Sequence, residues 1–324
     1  MVVPIASMEW LLHVHRALVR LNASRPQSAA TQENPFWGKY PFRLLDTRTM
    51  AVPHVPASGG IPSAALSKWQ HALPPRHRPV LVLSSDPNEA RAAASFMTSR
   101  GWTTIAIGDP VSTWPGPWAP GPPTARLWEP SPLVRRWAHR IPPGPVLDLG
   151  AGAGRDAVYL ALRGHAAYAV DRLPDALDRA AALARRHGVC LTGRGCLDLD
   201  RRGAPEDLAR AFQGTWPARF AAILMVRYLS RRCLEWIADR LQPGGLFLLE
   251  AFVRPPSGES PIRPRARLLE HGEACNFFPD WKLLEHSAGR LPTGEPVARL
   301  VAQRPAMRHS QWQPLVPHSG RTGP

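Results

Sequence analysis

Residues 146–154 read Val-Leu-Asp-Leu-Gly-Ala-Gly-Ala-Gly, three alternate glycines directly after an apolar run. Lacking a Cβ, Gly150, Gly152 and Gly154 let the chain turn sharply and lay its backbone against a ligand. A helical pattern over 155–163 begins at once, so the unbonded N–H groups of its first turn face the same ligand. Carboxylates frame this turn. Asp148 stands two places before the first glycine, and Asp171 follows it by 23 residues at the end of the apolar stretch 166–170. An acid there can accept from both hydroxyls of a ribose, and its competing role is to cap a helix predicted over 174–187. The third glycine follows the second by two places, which departs from the G-x-G-x-x-G of dinucleotide sites.

Alternating elements must position these groups. After the strands at 146–149 and 166–170, Val189 and Leu191 lead to a third strand end at Cys196-Leu197-Asp198-Leu199. A fourth strand is predicted at 220–226, followed by Arg227-Tyr228-Leu229. A helix over 231–241 should stop at Gln242-Pro243-Gly244-Gly245, before a fifth strand at 246–252. Residues 281–286 and 297–303 read as a closing antiparallel hairpin, joined by Gly289 and the turn Pro292-Thr293-Gly294. The fold class is α/β, a doubly wound parallel sheet.

This order and the pattern D-x-G-x-G-x-G resemble the class I S-adenosylmethionine (SAM)-dependent methyltransferases over residues 132–304. The resemblance implies a seven-stranded Rossmann-like sheet with SAM as cofactor. It assigns the cofactor to Asp148, Gly150, Ala151, Gly152, Gly154, Arg155, Asp171, Arg172, Asp198 and Leu199, with Asp198 and the Leu199 N–H meeting the adenine and Asp200 a near competitor. Methyl transfer from a sulfonium is an in-line displacement, so the protein supplies orientation and a dry site. Arg227, Tyr228 and Glu250 are the catalytic candidates. The Tyr228 ring either lies beside the sulfonium or packs at a strand end, and Glu250 either acts as a base or pairs with an arginine. Met225-Val226-Arg227-Tyr228 replaces the Asn/Asp-Pro-Pro-Tyr of amino-group methyltransferases. "RYL", "LQPGGLFLLEAF" and Arg267-Leu268-Leu269-Glu270 resemble tellurite-resistance-type and related small-molecule methyltransferases. A small-molecule acceptor follows. An RNA methyltransferase and a non-catalytic SAM-binding scaffold are the alternatives.

A smaller α/β pattern precedes this region, with "LLDTR" at 44–48, "GGIPSAAL" at 59–66, a strand at 80–83, a helix at 88–99 and a strand at 104–107. It resembles a rhodanese domain over 36–110. The loop that would carry the persulfide-bearing cysteine reads Ser84-Ser85-Asp86-Pro87-Asn88, and no cysteine occurs before Cys190, so the resemblance implies the fold without the activity. Residues 111–131, rich in proline, read as an extended, semi-rigid linker whose Trp114, Trp118 and Trp128 pack on either domain rather than form an aromatic ligand platform. Residues 1–35 form an extension whose Trp10, Leu11, Val14, Leu18 and Leu21 suit an amphipathic docking helix or a transit peptide, and 305–324 read as a disordered tail.

The formal charge is +15, spread as +8 over residues 1–144, +4 over 145–303 and +3 over the rest, with no basic run of five. That spread argues against a phosphate-tracking surface and predicts weak RNA association. The four cysteines form no C-x-x-C pair and no zinc spacing, which predicts no metal and a reducing, cytoplasmic setting. No apolar run approaches the ~18 residues of a membrane span. His54, His165 and His271 receive no role, and the oligomeric state has no signature.

Overall fold

In the computed structural model, the described residues are 42–49, 53–108, 118–211, 215–255 and 265–306. The expected N-terminal helix, Trp114 and the tail from 307 onward lie outside them. Arg43–Asp46 (β1), Gly59–Gly60 (β2), Val80–Ser84 (β3) and Thr104–Gly108 (β4) build an all-parallel sheet in the order β2-β1-β3-β4. The continuous apolar run of β3 is buried at all five positions, as a strand covered on both faces requires. Pro87–Thr98 (α1) starts where the Asp86 carboxylate accepts the Asn88 N–H at 2.9 Å, with proline in the first turn, and it buries Ala90, Ala93, Ala94 and Met97.

The second sheet is assembled from the region that begins with Pro132–Trp137 (α2). It comprises Val146–Leu149 (β5), Ala167–Asp171 (β6), Gly193–Cys196 (β7), Phe220–Val226 (β8), Leu241–Phe252 (β9), Lys282–Arg290 (β10) and Pro296–Gln303 (β11). Their order is β10-β11-β9-β8-β5-β6-β7, with only β11 antiparallel to its neighbours. Arg155–Leu162 (α3), Pro174–Arg186 (α4), Ala204–Ala211 (α5) and Leu234–Arg240 (α6) connect the strands.

Boundaries shift for local reasons. The helix expected over 231–241 begins as a 3-10 turn at Arg231–Cys233 and becomes α-helical only at Leu234. Leu241 is already extended, so β9 begins before the Pro-Gly-Gly segment and runs through it. Gly289 lies inside β10 and is no linker; a Cβ there would stand 3.0 Å from the Arg299 guanidinium.

Residues 118–131 are no free spacer. Ala119 bridges to His54 and Thr124 to Gly59, along the edge of the small sheet. Trp128 is 0% exposed and its indole N–H donates to His187 Nε2 at 2.9 Å. Glu129 accepts from Arg43 and Arg78. One hydrophobic cluster runs from Leu45, Met97 and Trp102 of the first unit through Trp128 to Val158 and Leu183 of the second. Burying a tryptophan and its neighbours in this way removes apolar surface from water and holds the two units together.

Candidate active site

Strand order reverses at β5, which lies between β6 and β8, so a crevice opens above the carboxyl ends of β5 and β8. The glycine turn leaves β5 at this point. Its loop is pinned to β6, where Val170 O accepts the N–H groups of Gly150 at 2.9 Å and Ala151 at 3.0 Å. Gly152 has φ +53 and nothing within 4 Å of where a Cβ would stand, which makes it the open wall of a cradle. The outer glycines serve packing. A Cβ on Gly150 would come within 2.5 Å of the Tyr228 ring, and one on Gly154 within 2.4 Å of Ala180 on α4.

Asp171 ends β6 and ties the cradle together, its carboxylate accepting the Gly152 N–H at 2.8 Å and the Leu173 N–H at 3.0 Å. It does not occupy the N-cap of α4, which is Leu173 without a side-chain bond. Each carboxylate oxygen keeps a further acceptor position. Arg172 is exposed, and Leu173 offers apolar surface at 47% exposure beside Asp171. Asp198 is half-buried, with its Oδ1 accepting the Asp200 N–H at 3.0 Å. Leu199 is buried, and its carbonyl accepts the Ser230 hydroxyl at 2.6 Å, joining the third strand end to the loop after β8.

Two acids lie beneath the cradle. Asp148 is 3% exposed and forms no ion pair among the described residues. Burial, then repulsion from Asp156, pushes its carboxyl well above the usual carboxylate range. Asp156, 6% exposed, accepts the Ser131 N–H at 2.6 Å and so fixes the start of α2 against α3. Sequence reading missed Asp156 and Ser131. A serine before Pro132 and an acid in the first turn of α3 were ordinary helix-start signals with nothing to connect them.

The candidates for the reacting end are separated in role by their surroundings. Arg227 follows β8 with φ +56, a left-handed conformation that costs a non-glycine residue about 1–2 kcal/mol. Its N–H donates to the Glu250 carbonyl, and its exposed guanidinium has no hydrogen bond or ion pair among the described residues. Glu250 is 1% exposed and accepts Arg299 Nε at 2.7 Å. The Tyr228 ring lies on Gly150, and its hydroxyl donates to Asp200 at 3.0 Å. Arg267 lies 5.4 Å over that ring and pairs with Asp200. Burial and the Asp200 charge raise the Tyr228 phenol above its ordinary value, so it stays protonated.

Arg155, Arg227 and Glu250 open onto a cavity of about 820 Å³ whose facing wall comes from His71, Arg76 and Trp102 of the first unit. Arg155 Nε donates to the His71 carbonyl at 2.8 Å. Burial and then Arg227 lower Arg155 to about 10, and burial and then Arg155 lower His71 to about 4. No group of three metal-ligating side chains occurs among the described residues, and no helix there is long and apolar enough to cross a membrane.

The sequence profile of the family described as tellurite resistance protein TehB matches residues 133–189, which span α2, the glycine turn and α4. A protein-L-isoaspartate O-methyltransferase of Chlorobium limicola is 32% identical over 111 residues, covering 33% of this chain and 44% of that protein. An uncharacterized protein of Schizosaccharomyces pombe, UNK4.09, is 24% identical over 318 residues, covering 81% of this chain and 94% of its own length. The chain spans just under half the length of two of the curated relatives it matches. The crystal structure of TehB from Haemophilus influenzae aligns with 53% of this chain and 61% of its own at 20% identity and a TM-score of 0.43. The stretch matched by the family profile contains the glycine cradle and Asp171.

Proposed function

We propose that the chain transfers a methyl group from SAM to a small molecule held in the cavity beside the cradle. The observation that carries this reading is the open wall at Gly152, set at the strand-order switch between β5 and β8 with Asp171 at its lip. The donors present fit the cofactor. Asp171 has acceptor positions for ribose hydroxyls, Asp198 and Leu199 stand at the next strand end for the adenine, and Asp148 offers an unpaired buried carboxyl to the cofactor's cationic end. Bound there, SAM supplies the electrophilic methyl group. The chain's own part is to exclude water and to orient the acceptor. Glu250 is tied to Arg299, Glu129 to Arg43 and Arg78, and Tyr228 stays protonated, so the wall holds no free carboxylate base. An acceptor that is already nucleophilic suits such a wall. Four free thiols agree with a reducing cytoplasmic setting.

Calorimetric titration with SAM tests the reading. Asp171→Ala should lose about 1.5–3 kcal/mol of affinity, the range for a hydrogen bond to a charged group. Gly152→Val should abolish binding, because its side chain would fill the open wall and strain a left-handed position. Unchanged affinity in both variants would sink the assignment.

We infer also that the first unit is a rhodanese-like scaffold without sulfur chemistry. Four parallel strands and α1 support the likeness, and the loop after β3 offers no thiol. Ser84 is buried and its hydroxyl donates to Glu89 at 2.9 Å. The protein should form no thiocyanate from thiosulfate and cyanide. Turnover that survives replacement of all four cysteines would contradict this.

A further inference from the structure

We propose that the cavity between the two units is an anion-specific acceptor site for an organic molecule bearing two or more carboxylate or phosphate groups, an inference that rests on the methyl-transfer reading and narrows its substrate class. Among the described residues, seven arginines and two glutamates line the cavity. The first unit contributes Arg76 and Arg78, and α2 and α3 contribute Arg135 and Arg155. Arg227 follows β8, and the closing hairpin brings Arg290 and Arg299.

Both glutamates are already committed. Glu129 pairs with Arg43 and Arg78, and Glu250 pairs with Arg299. Arg76, Arg155 and Arg290 donate only to backbone carbonyls, of Arg100, His71 and Gly294. The guanidiniums of Arg135 and Arg227 have no hydrogen bond or ion pair among the described residues. Among the described residues, five guanidiniums therefore line the cavity with no carboxylate hydrogen-bonded to them. Like charges gathered around one cavity repel, and an anionic ligand would relieve that repulsion. Guanidinium forks bind carboxylate and phosphate oxygens in pairs, with charge-assisted hydrogen bonds.

Two further observations fit an anionic guest. The His71 imidazole, whose pKa burial and then Arg155 lower to about 4, forms part of the wall as a neutral group and adds no repelling charge for a cationic site to overcome. Arg227 keeps a strained backbone that presents its guanidinium at the mouth. The volume of about 820 Å³ suits an organic molecule and far exceeds a small inorganic oxyanion. Specificity then belongs partly to the first unit, which supplies Arg76, Arg78 and His71.

The test titrates the full chain with benzene-1,3,5-tricarboxylate, with inorganic pyrophosphate and with the neutral trimethyl ester of the tricarboxylate. At least one anion should bind, with affinity falling as salt rises, and the ester should not bind. Arg227→Gly keeps the fold, because glycine accepts φ +56 freely, and Arg76→Gln changes only the opposite wall. Each should weaken anion binding about tenfold or more while the melting temperature holds. Equal binding of the ester, no anion binding, or affinity unmoved in both variants would overturn the proposal. Structured RNA that displaces the tricarboxylate at nanomolar concentration would overturn it in favour of a nucleic-acid surface. SAM titrated in parallel separates the two readings. Anion binding without SAM binding overturns the acceptor role, and SAM binding without anion binding overturns the anion site alone.

Discussion

At the scale of single residues, Asp148 joins stability to ligand binding. Its raised pKa means that the folded chain holds a proton there that the unfolded chain, near 3.8, releases. Stability from this group is therefore present at low pH and is lost as pH rises from about 3.8 toward the folded value. Asp148→Asn keeps an acceptor for the Ala157 N–H and removes the titration. The variant should melt above the parent at neutral pH, with the advantage shrinking as pH falls toward about 4. Its affinity for SAM should drop at the same time, because asparagine cannot release a proton to meet the cofactor's cationic end. Thermal melts across pH, paired with titration of SAM, check both halves. A variant less stable than its parent at neutral pH would show that Asp148 is charged and satisfied in the fold.

Among the elements, the stretch 118–131 shows most plainly what composition leaves out. Proline density does signal an extended chain, and the segment is extended. What local composition lacks is any statement of what the extended chain lies against. Trp118 packs on the cluster of Leu44, Val55 and Leu83, and Trp128 fills the seam between units. Trp128→Ala should cost about 3–5 kcal/mol, the range for emptying a fully buried aromatic site, measured by denaturant titration. A loss under about 1 kcal/mol would mean that the segment is a loose spacer. The strands and helices of the second unit were legible because each carries its own period and stop signals. The helix Ala204–Ala211 was not read from the sequence, and element ends moved elsewhere, as at Leu241, where the pairing with Phe220 extends β9 through a segment that reads as a turn.

For the whole molecule, the shared core predicts cooperative behaviour. Because Leu45, Met97, Trp128 and Leu183 belong to one cluster, and Arg186 reaches across to the Gly60 carbonyl, neither unit can unfold without exposing the flank of the other. Scanning calorimetry should record one transition, with equal calorimetric and van't Hoff enthalpies. Two separable transitions would show that the units fold alone. The same scale corrects the charge argument. Counted along the chain, the +15 is dispersed and contains no basic run, yet folding gathers seven arginines around one cavity.

By itself the sequence determined the cradle and the sheet: Gly150, Gly152 and Gly154 after a strand, Asp171 and Asp198 at the next strand ends, and the alternation that orders β5 to β11. These are short-range patterns, in which spacing along the chain is also spacing in space. Only the tertiary structure decided that Glu250 pairs with Arg299, that Tyr228 braces Gly150 and bonds Asp200, and that the first unit walls the cavity. Arg76, Arg155, Arg227 and Arg299 lie up to 223 positions apart, and nothing along the chain joins the two singled out by their motifs, Arg155 and Arg227, to Arg76 and Arg299. Convergence of that kind has no local period. It exists only once burial of the shared core has set one unit against the other.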